Sequence, residues 1–179
     1  MRQIILYGSQ YGTSENYAKK LGELTKAEVC SYEKAPDLSP YGCIVYIGGL
    51  YAGTMTGLKQ TAKRIPAGAK FLLASVGLAD MKTEHSQAHI KKSLKRQMPE
   101  ALFEQTEFFF LFGAIDYSTM SFKHKMMMAG LCRVLKSKPA DKRGESASFL
   151  IQTYQNKGDL TEPNDLVPIQ KAMDKAALS

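Results

Sequence analysis

The sequence predicts an α/β protein built on a doubly wound parallel sheet of five strands. Three observations carry this. Short apolar runs alternate with amphipathic stretches of helical spacing. The central runs are apolar at every position, as in strands covered on both faces. Turn-forming Gly, Pro and Asp residues separate many of the segments.

The first run is 3–7 (QIILY), rich in residues that fit a pleated, buried surface. Residues 14–27 follow as a helix, because Tyr17, Leu21 and Leu24 recur at spacings of four and three. Residues 28–32 form a short second strand, and 36–40, with a proline at each end, form a turn. The third strand is 43–48 (CIVYIG), followed by a helix over 57–65 that Pro66 closes. The fourth strand is 70–76 (KFLLASV). A basic helix over 84–98 carries Ile90, Leu94 and Met98 on one face and stops at Pro99. Residues 107–113 (EFFFLFG) are the fifth strand. Beyond Gly113 the alternation breaks. Residues 120–135 interleave Met, Leu and Phe with Lys and His and read as a basic amphipathic helix. A polar link follows over 136–146, then helices over 147–154 and 166–178. There is no internal repeat and no low-complexity segment.

At 179 residues the chain is expected to form one domain, 1–179, with a basic amphipathic insertion at about 117–146. Cys30, Cys43 and Cys132 are scattered and form no CxxC pair, which argues against a disulfide framework or zinc site and for a reducing compartment. No signal-peptide pattern precedes the first strand, and no run of 18 apolar residues occurs, so the expected location is cytoplasmic. The net charge of +7 is uneven: between 117 and 143, seven basic residues (Lys123, Lys125, Arg133, Lys136, Lys138, Lys142, Arg143) face one acid, Asp141. This is a solvated face or a surface for an acidic partner or an anionic membrane. Nucleic acid is not expected as a partner.

In such a sheet, ligands bind beyond the carboxyl ends of the strands. After the first strand comes Gly8-Ser9-Gln10-Tyr11-Gly12-Thr13-Ser14. Ser9, Thr13 and Ser14 supply hydroxyls, Gly12 permits close backbone approach, and Ser14 opens the helix, whose N-terminus favours an anion. Spacing alone leaves this loop open between a phosphate site and an ordinary capped turn. There is no GxxxxGK[ST] and no GxGxxG after the first strand, which sets aside a P-loop and a dinucleotide fingerprint. With no lysine in the loop, neutral donors would hold the phosphate, which suits a monoester better than a magnesium-bound triphosphate.

The segment YGSQYGTSEN resembles the phosphate loop of flavodoxins, of the form [ST]-x-[TS]-G-x-[ST], with Ser9, Gly12 and Ser14 matching. Tyr11 stands where that family has a small hydroxyl residue, so its contact is expected through the backbone. Gly48-Gly49-Leu50-Tyr51-Ala52-Gly53 and Ser75-Val76-Gly77-Leu78 resemble the two loops that contact the isoalloxazine ring. The resemblance covers the chain to about Gly113. It implies a flavodoxin-like three-layer sandwich of strand order 2-1-3-4-5 and one noncovalent FMN. It assigns cofactor binding to Ser9, Gln10, Tyr11, Gly12, Thr13, Ser14, Leu50, Tyr51, Ala52, Gly53, Ser75, Val76, Gly77 and Leu78. Downstream, FGAIDYSTMSFKHKMMMAGLCRVLK resembles the insertion near the fifth strand of flavodoxin-type, menaquinone-dependent protoporphyrinogen dehydrogenases, at Gly113, Ala114 and Tyr117. In that family the insertion is associated with catalysis and with quinone-linked oxidation at the membrane.

Tyr51 and Tyr117 are candidates to stack on the flavin, and Asp116 to accept a hydrogen bond from it or to cap a turn. His85 and His89 share a helix face, yet no third ligand accompanies them and no metal is expected. His124, among lysines, is expected in solvent, and Met126, Met127 and Met128 in core or interface packing. No residue is singled out as catalytic. Two functional classes remain. One is an FMN oxidoreductase acting on a small molecule, with protoporphyrinogen as donor and a quinone as acceptor; it would be cytoplasmic or peripheral at the inner face of the membrane through 117–143. The other is an electron-transfer flavodoxin serving a redox protein. Electron-carrying flavodoxins are typically acidic, so the basic insertion favours the first.

Overall fold

The computed structural model describes residues 1–78, 81–139 and 145–178. Five parallel strands form the central sheet: β1 (Gln3–Gly8), β2 (Glu28–Ser31), β3 (Cys43–Tyr51), β5 (Lys70–Gly77) and β6 (Glu107–Phe112), in the order β2-β1-β3-β5-β6. The short β4 (Thr54–Met55) folds back antiparallel on the end of β3. Apart from this hairpin strand, the order is the one the resemblance implied.

The alternation of side chains across each strand explains the layering. Ile4, Leu6, Ile44, Tyr46, Phe71 and Leu73 point to one face. There they pack under α2 (Leu58–Ala62), α3 (Glu84–Lys95) and the segment through α4 (Glu100–Gln105). Ile5, Val45, Ile47, Leu72 and Ala74 point to the other face, covered by α1 (Thr13–Thr25) and α7 (Val167–Ala177). Ile4, Ile5 and Leu6 are all fully buried, each side chain contributing about 1.5–3 kcal/mol relative to an exposed position. This two-sided burial makes β1 continuously apolar from Ile4 to Leu6 and the molecule a three-layer sandwich.

The edge strand differs. Phe108, Phe109 and Phe110 of β6 are only half-buried, because no strand lies beyond them. Lysines of the basic helix cover rings on this side: Lys91 Nζ lies 5.4 Å from the Phe108 ring and 5.9 Å from Phe110, and Lys95 Nζ lies 5.8 Å from Phe103 of α4. The charge on α3 thus serves packing through cation–π contacts and aliphatic stems.

After β6 the chain leaves the sheet. β7 (Ala114–Asp116) and β8 (Lys157–Asp159) pair as an antiparallel ribbon that brackets α5 (Phe122–Ser137) and α6 (Glu145–Gln152). Ile115, Tyr117, Met128 and Leu150 form a satellite core there. Lys157 pairs with Asp116 at 2.7 Å, and this contact, with the Ser118 hydroxyl, pushes the Asp116 carboxyl down to about 2. The insertion is therefore wider than 117–146, because its two ends meet in a ribbon the sequence does not announce. Asp141, Lys142 and Arg143, and part of the expected polar link, lie outside the described residues.

The third strand runs three residues beyond its expected end at 48. Gly48 and Gly49 do not break it, because each makes room for a neighbour. A Cβ at Gly48 would lie 2.4 Å from Met55, and one at Gly49 2.9 Å from Tyr51. At the end of β1 the fit is tighter still: a Cβ on Gly8 would lie 2.1 Å from the Thr56 carbonyl oxygen, which accepts the Tyr46 hydroxyl at 2.5 Å. Gly8→Ala must push backbone against backbone and is expected to cost at least ~2 kcal/mol. Urea unfolding measures this, and a loss below about 0.5 kcal/mol would show that the segment after β4 is free to move.

Candidate functional site

The register of the parallel strands sets the site. Gly8 pairs with Gly48, and Gly48 with Ser75, so the loops after β1, β3 and β5 leave the sheet at one level. They open into a cleft of about 600 Å³, within the range of small-molecule sites. Ten of the expected residues line it: Tyr11, Thr13, Ser14, Leu50, Tyr51, Ala52, Gly53, Val76, Gly77 and Leu78.

The loop after β1 reaches α1 through Gly12, which caps the helix at φ +90°. A glycine tolerates that conformation without strain. The Gly12 amide donates to Ser9 Oγ at 3.0 Å, so Ser9 shapes the loop and does not line the cleft. Gln10 is exposed. No side chain caps α1. Its first-turn amides at 13–15, beside the Thr13 and Ser14 side chains, are left for a ligand or water. The helix begins at Thr13 rather than Ser14, and Ser14 is buried at the cleft wall. This donor set suits a phosphate monoester.

The turn between β3 and β4 places Ala52 at φ +48° and Gly53 at φ +78°, the backbone of a tight two-residue hairpin turn. Three side-chain bonds from α3 and just beyond it hold this turn. Ser93 Oγ donates to the Gly53 carbonyl at 2.8 Å, Gln97 Nε2 donates to the same oxygen at 2.9 Å, and Gln97 Oε1 accepts the Met55 amide at 2.9 Å. Sequence reading missed Gln97, since an amide after a helix carries no pattern of its own. At the neighbouring strand end, Ser75 is fully buried in β5, with a hydroxyl that has no partner among the described residues, and it does not line the cleft.

The far half of the cleft comes from the insertion. Met120, Met127, Met128, Leu131, Leu135 and Leu150 give it an apolar wall, with Lys138 on the lining. Met127 and the buried Met128 both line the cleft, whereas Met126 faces outward. The methionine run is thus divided between cleft and surface by the helical turn.

Three rings meet where the two halves join. The His124 imidazole lies flat on Tyr51, at 5.5 Å between centroids and 8° between planes. Its Nδ1 is hydrogen-bonded to the Tyr11 hydroxyl at 2.5 Å. Tyr11 meets Tyr51 edge-on at 5.8 Å. Burial pushes the Tyr51 phenol up to about 12. The expectation that His124 lies in solvent is corrected: the first turn of α5 directs it onto loops more than seventy residues away in sequence. Tyr11 likewise contributes its side chain, not its backbone alone.

Asp116 and Tyr117 are not brought to the cleft. Asp116 accepts the Ser118 amide at 2.9 Å and caps a turn. Tyr117 is 6% exposed in the satellite core, edge-on to Tyr154 at 5.6 Å. His85 and His89 meet edge-on at 5.0 Å on α3, and among the described residues no cluster of three or more metal-binding side chains forms.

Gln97→Ala removes two of the three bonds on the hairpin turn. It is expected to lower stability by about 1–3 kcal/mol, measured by urea unfolding, and to raise hydrogen exchange at the Met55 amide. Unchanged exchange at Met55 would show that the turn holds itself.

A flavodoxin-domain family profile matches residues 4–142. Among solved structures, the chain is similar to a candidate flavoprotein from Bacteroides uniformis, at 13% identity over 66% of this chain and 94% of that one, with a TM-score of 0.46. It is similar to another from Bacteroides eggerthii, at 10% identity over 61% and 85%, with a TM-score of 0.44. A cysteine-to-alanine variant of flavodoxin from Pseudomonas aeruginosa shares 18% identity over 52% and 76%, with a TM-score of 0.36. No curated protein matches the chain. The family match spans the phosphate-type loop, both strand-end loops and α5, and the chain belongs to the flavodoxin-domain family.

Proposed function

We propose that this chain binds FMN and works as an oxidoreductase on an apolar small molecule, with a protoporphyrinogen-like donor and a quinone acceptor as the resemblance of the insertion implies. One observation carries the reading. The cleft runs without interruption from the loop at α1 to an apolar lobe built by α5 and α6. A carrier that only passes electrons to a protein needs no such lobe.

In this reading the uncapped amides at 13–15 and the hydroxyls of Thr13 and Ser14 hold the phosphate, and the loops at 49–53 and 76–78 hold the ring. The flavin supplies hydride and electron transfer when bound. The protein supplies a largely apolar cleft, the clamped hairpin turn and the aromatic cluster of Tyr11, Tyr51 and His124. Purified protein is expected to be yellow or to take up FMN stoichiometrically, and a colourless protein that quenches no FMN fluorescence would sink the cofactor assignment. Anaerobic turnover of protoporphyrinogen with menadione is expected. No turnover, together with fast one-electron exchange with a redox protein, would assign the chain to the carrier class.

The outer side of α5 supports a peripheral membrane role. Phe122, Met126 and Val134 are 79%, 60% and 58% exposed, and Lys123, Lys125 and Arg133 lie among them. Apolar side chains with interleaved cations suit an anionic bilayer surface. No helix among the described residues is long and apolar enough to cross a membrane. Co-sedimentation with vesicles containing phosphatidylglycerol is expected, weakened at least ~10-fold in F122S/M126S. Equal binding of the double variant would place the contact elsewhere.

A further inference from the structure

The aromatic cluster gathers three segments that are remote in sequence: Tyr11 after β1, Tyr51 after β3 and His124 in the first turn of α5. Hydrogen bonds tie these segments together. The Tyr11 oxygen accepts the Ser121 amide at 3.3 Å, and Ser121 Oγ in turn accepts the His124 amide at 3.4 Å. With one lone pair engaged by Ser121, the phenol can donate its own proton to His124 Nδ1, the direction of that bond following the imidazole tautomer. The neutral imidazole then carries its proton on Nε2, which has no hydrogen-bond partner among the described residues. Tyr11 and His124 both line the cleft, and no carboxylate lines it among the described residues.

A two-electron oxidation breaks a C–H bond, and a flavin held in this cleft would supply the hydride acceptor. The oxidation also releases a proton from the neighbouring N–H or O–H, and that proton needs an acceptor in the cleft. Histidine is the side chain whose ordinary titration lies near neutrality, and His124 is the one histidine on the lining. Resting on the oxidoreductase reading above, we propose that Tyr11 and His124 form the proton relay of this site. The substrate N–H or O–H proton passes to the Tyr11 oxygen as the Tyr11 proton moves to His124 Nδ1. The electron pair left on the substrate forms the new C=N or C=O bond, Tyr11 stays neutral, and the positive charge rests on the imidazolium. The Tyr51 ring beneath it provides a π-face for that cation. Tyr11 is the group that meets the substrate, and His124 acts through it. Lys138 is the charged group on the cleft lining among the described residues, and Lys123 and Lys125 flank His124 in sequence as exposed side chains.

The test has two arms. In the first, nitrogen-15 spectra of histidine-labelled protein without added flavin are expected to show His124 Nδ1 unprotonated above its titration. Tyr11→Phe should move that titration by at least half a pH unit. Protonated Nδ1 at high pH, or a titration that Tyr11→Phe leaves unmoved, overturns the relay whatever the activity shows. In the second arm, His124→Gln is compared with the parent with each protein saturated with FMN. The variant should lose at least tenfold in the rate of flavin reduction by protoporphyrinogen, together with the pH dependence that tracks the His124 titration. A rate lost equally at all pH values, or retained with its pH profile intact, overturns the proposal. If the parent protein takes up no FMN, the oxidoreductase reading fails, and the first arm still decides whether the proton pair exists.

Discussion

Parallel pairing of β1, β3 and β5 is the constraint on which this molecule rests. Hydrogen bonding places Gly8 beside Gly48 and Gly48 beside Ser75, so three loops distant in sequence begin on one line. A parallel sheet needs cover on both faces, since its crossovers put helices there. The two faces of each strand are accordingly buried in separate cores. The layers hold the strand ends level, and the strand ends set where the loops can meet a ligand. Small residues at this level serve the same purpose. Gly8, Gly48 and Gly49 each occupy space that a side chain would take from Thr56, Met55 or Tyr51.

The insertion changes what those loops enclose. The β7–β8 ribbon closes it at its base, and a small core of Ile115, Tyr117, Met128 and Leu150 gives it internal packing. Tyr11 and Tyr51 then meet His124 across the cleft. Through these contacts an open row of loops becomes a walled site with one polar end and one apolar end. The same helix divides its residues three ways: Cys132 inward, Met127, Met128 and Leu131 to the cleft, and Phe122, Met126 and Val134 outward. The sequence reads this segment as a basic amphipathic helix, but a helix used on three sides does not announce which of its residues meet the cleft.

The five parallel strands were legible because each has a property visible in a short window. Continuous apolarity marks a strand buried on both faces, as in IIL of β1 and IVYI of β3. The loop after β1 was legible for a related reason, since a turn into a helix N-terminus demands glycine and small hydroxyl residues close together. The short strands were not. β4, β7 and β8 are two or three residues long and carry no periodicity. β4 exists because the turn at Ala52 and Gly53 folds it back on β3, and Ser93 and Gln97 hold that turn from another layer. Asp116 and Tyr117 show the converse. Both follow a strand end, as ligand-binding residues do, but the ribbon carries one into an ion pair and the other into a core.

By itself, then, the sequence determined the α/β class, the strand order implied by the family resemblance, and the chemistry available at each strand end. These follow from local burial patterns and from the few residue types that tight turns admit. The tertiary structure decided which of those residues share a cleft. It drew Asp116 and Tyr117 away, brought His124 in, and converted a basic helix into one wall of the site. The reason is physical: a side chain's pairing depends on where distant elements pack, and the contact between Tyr11 and His124 spans 113 positions that no periodicity connects.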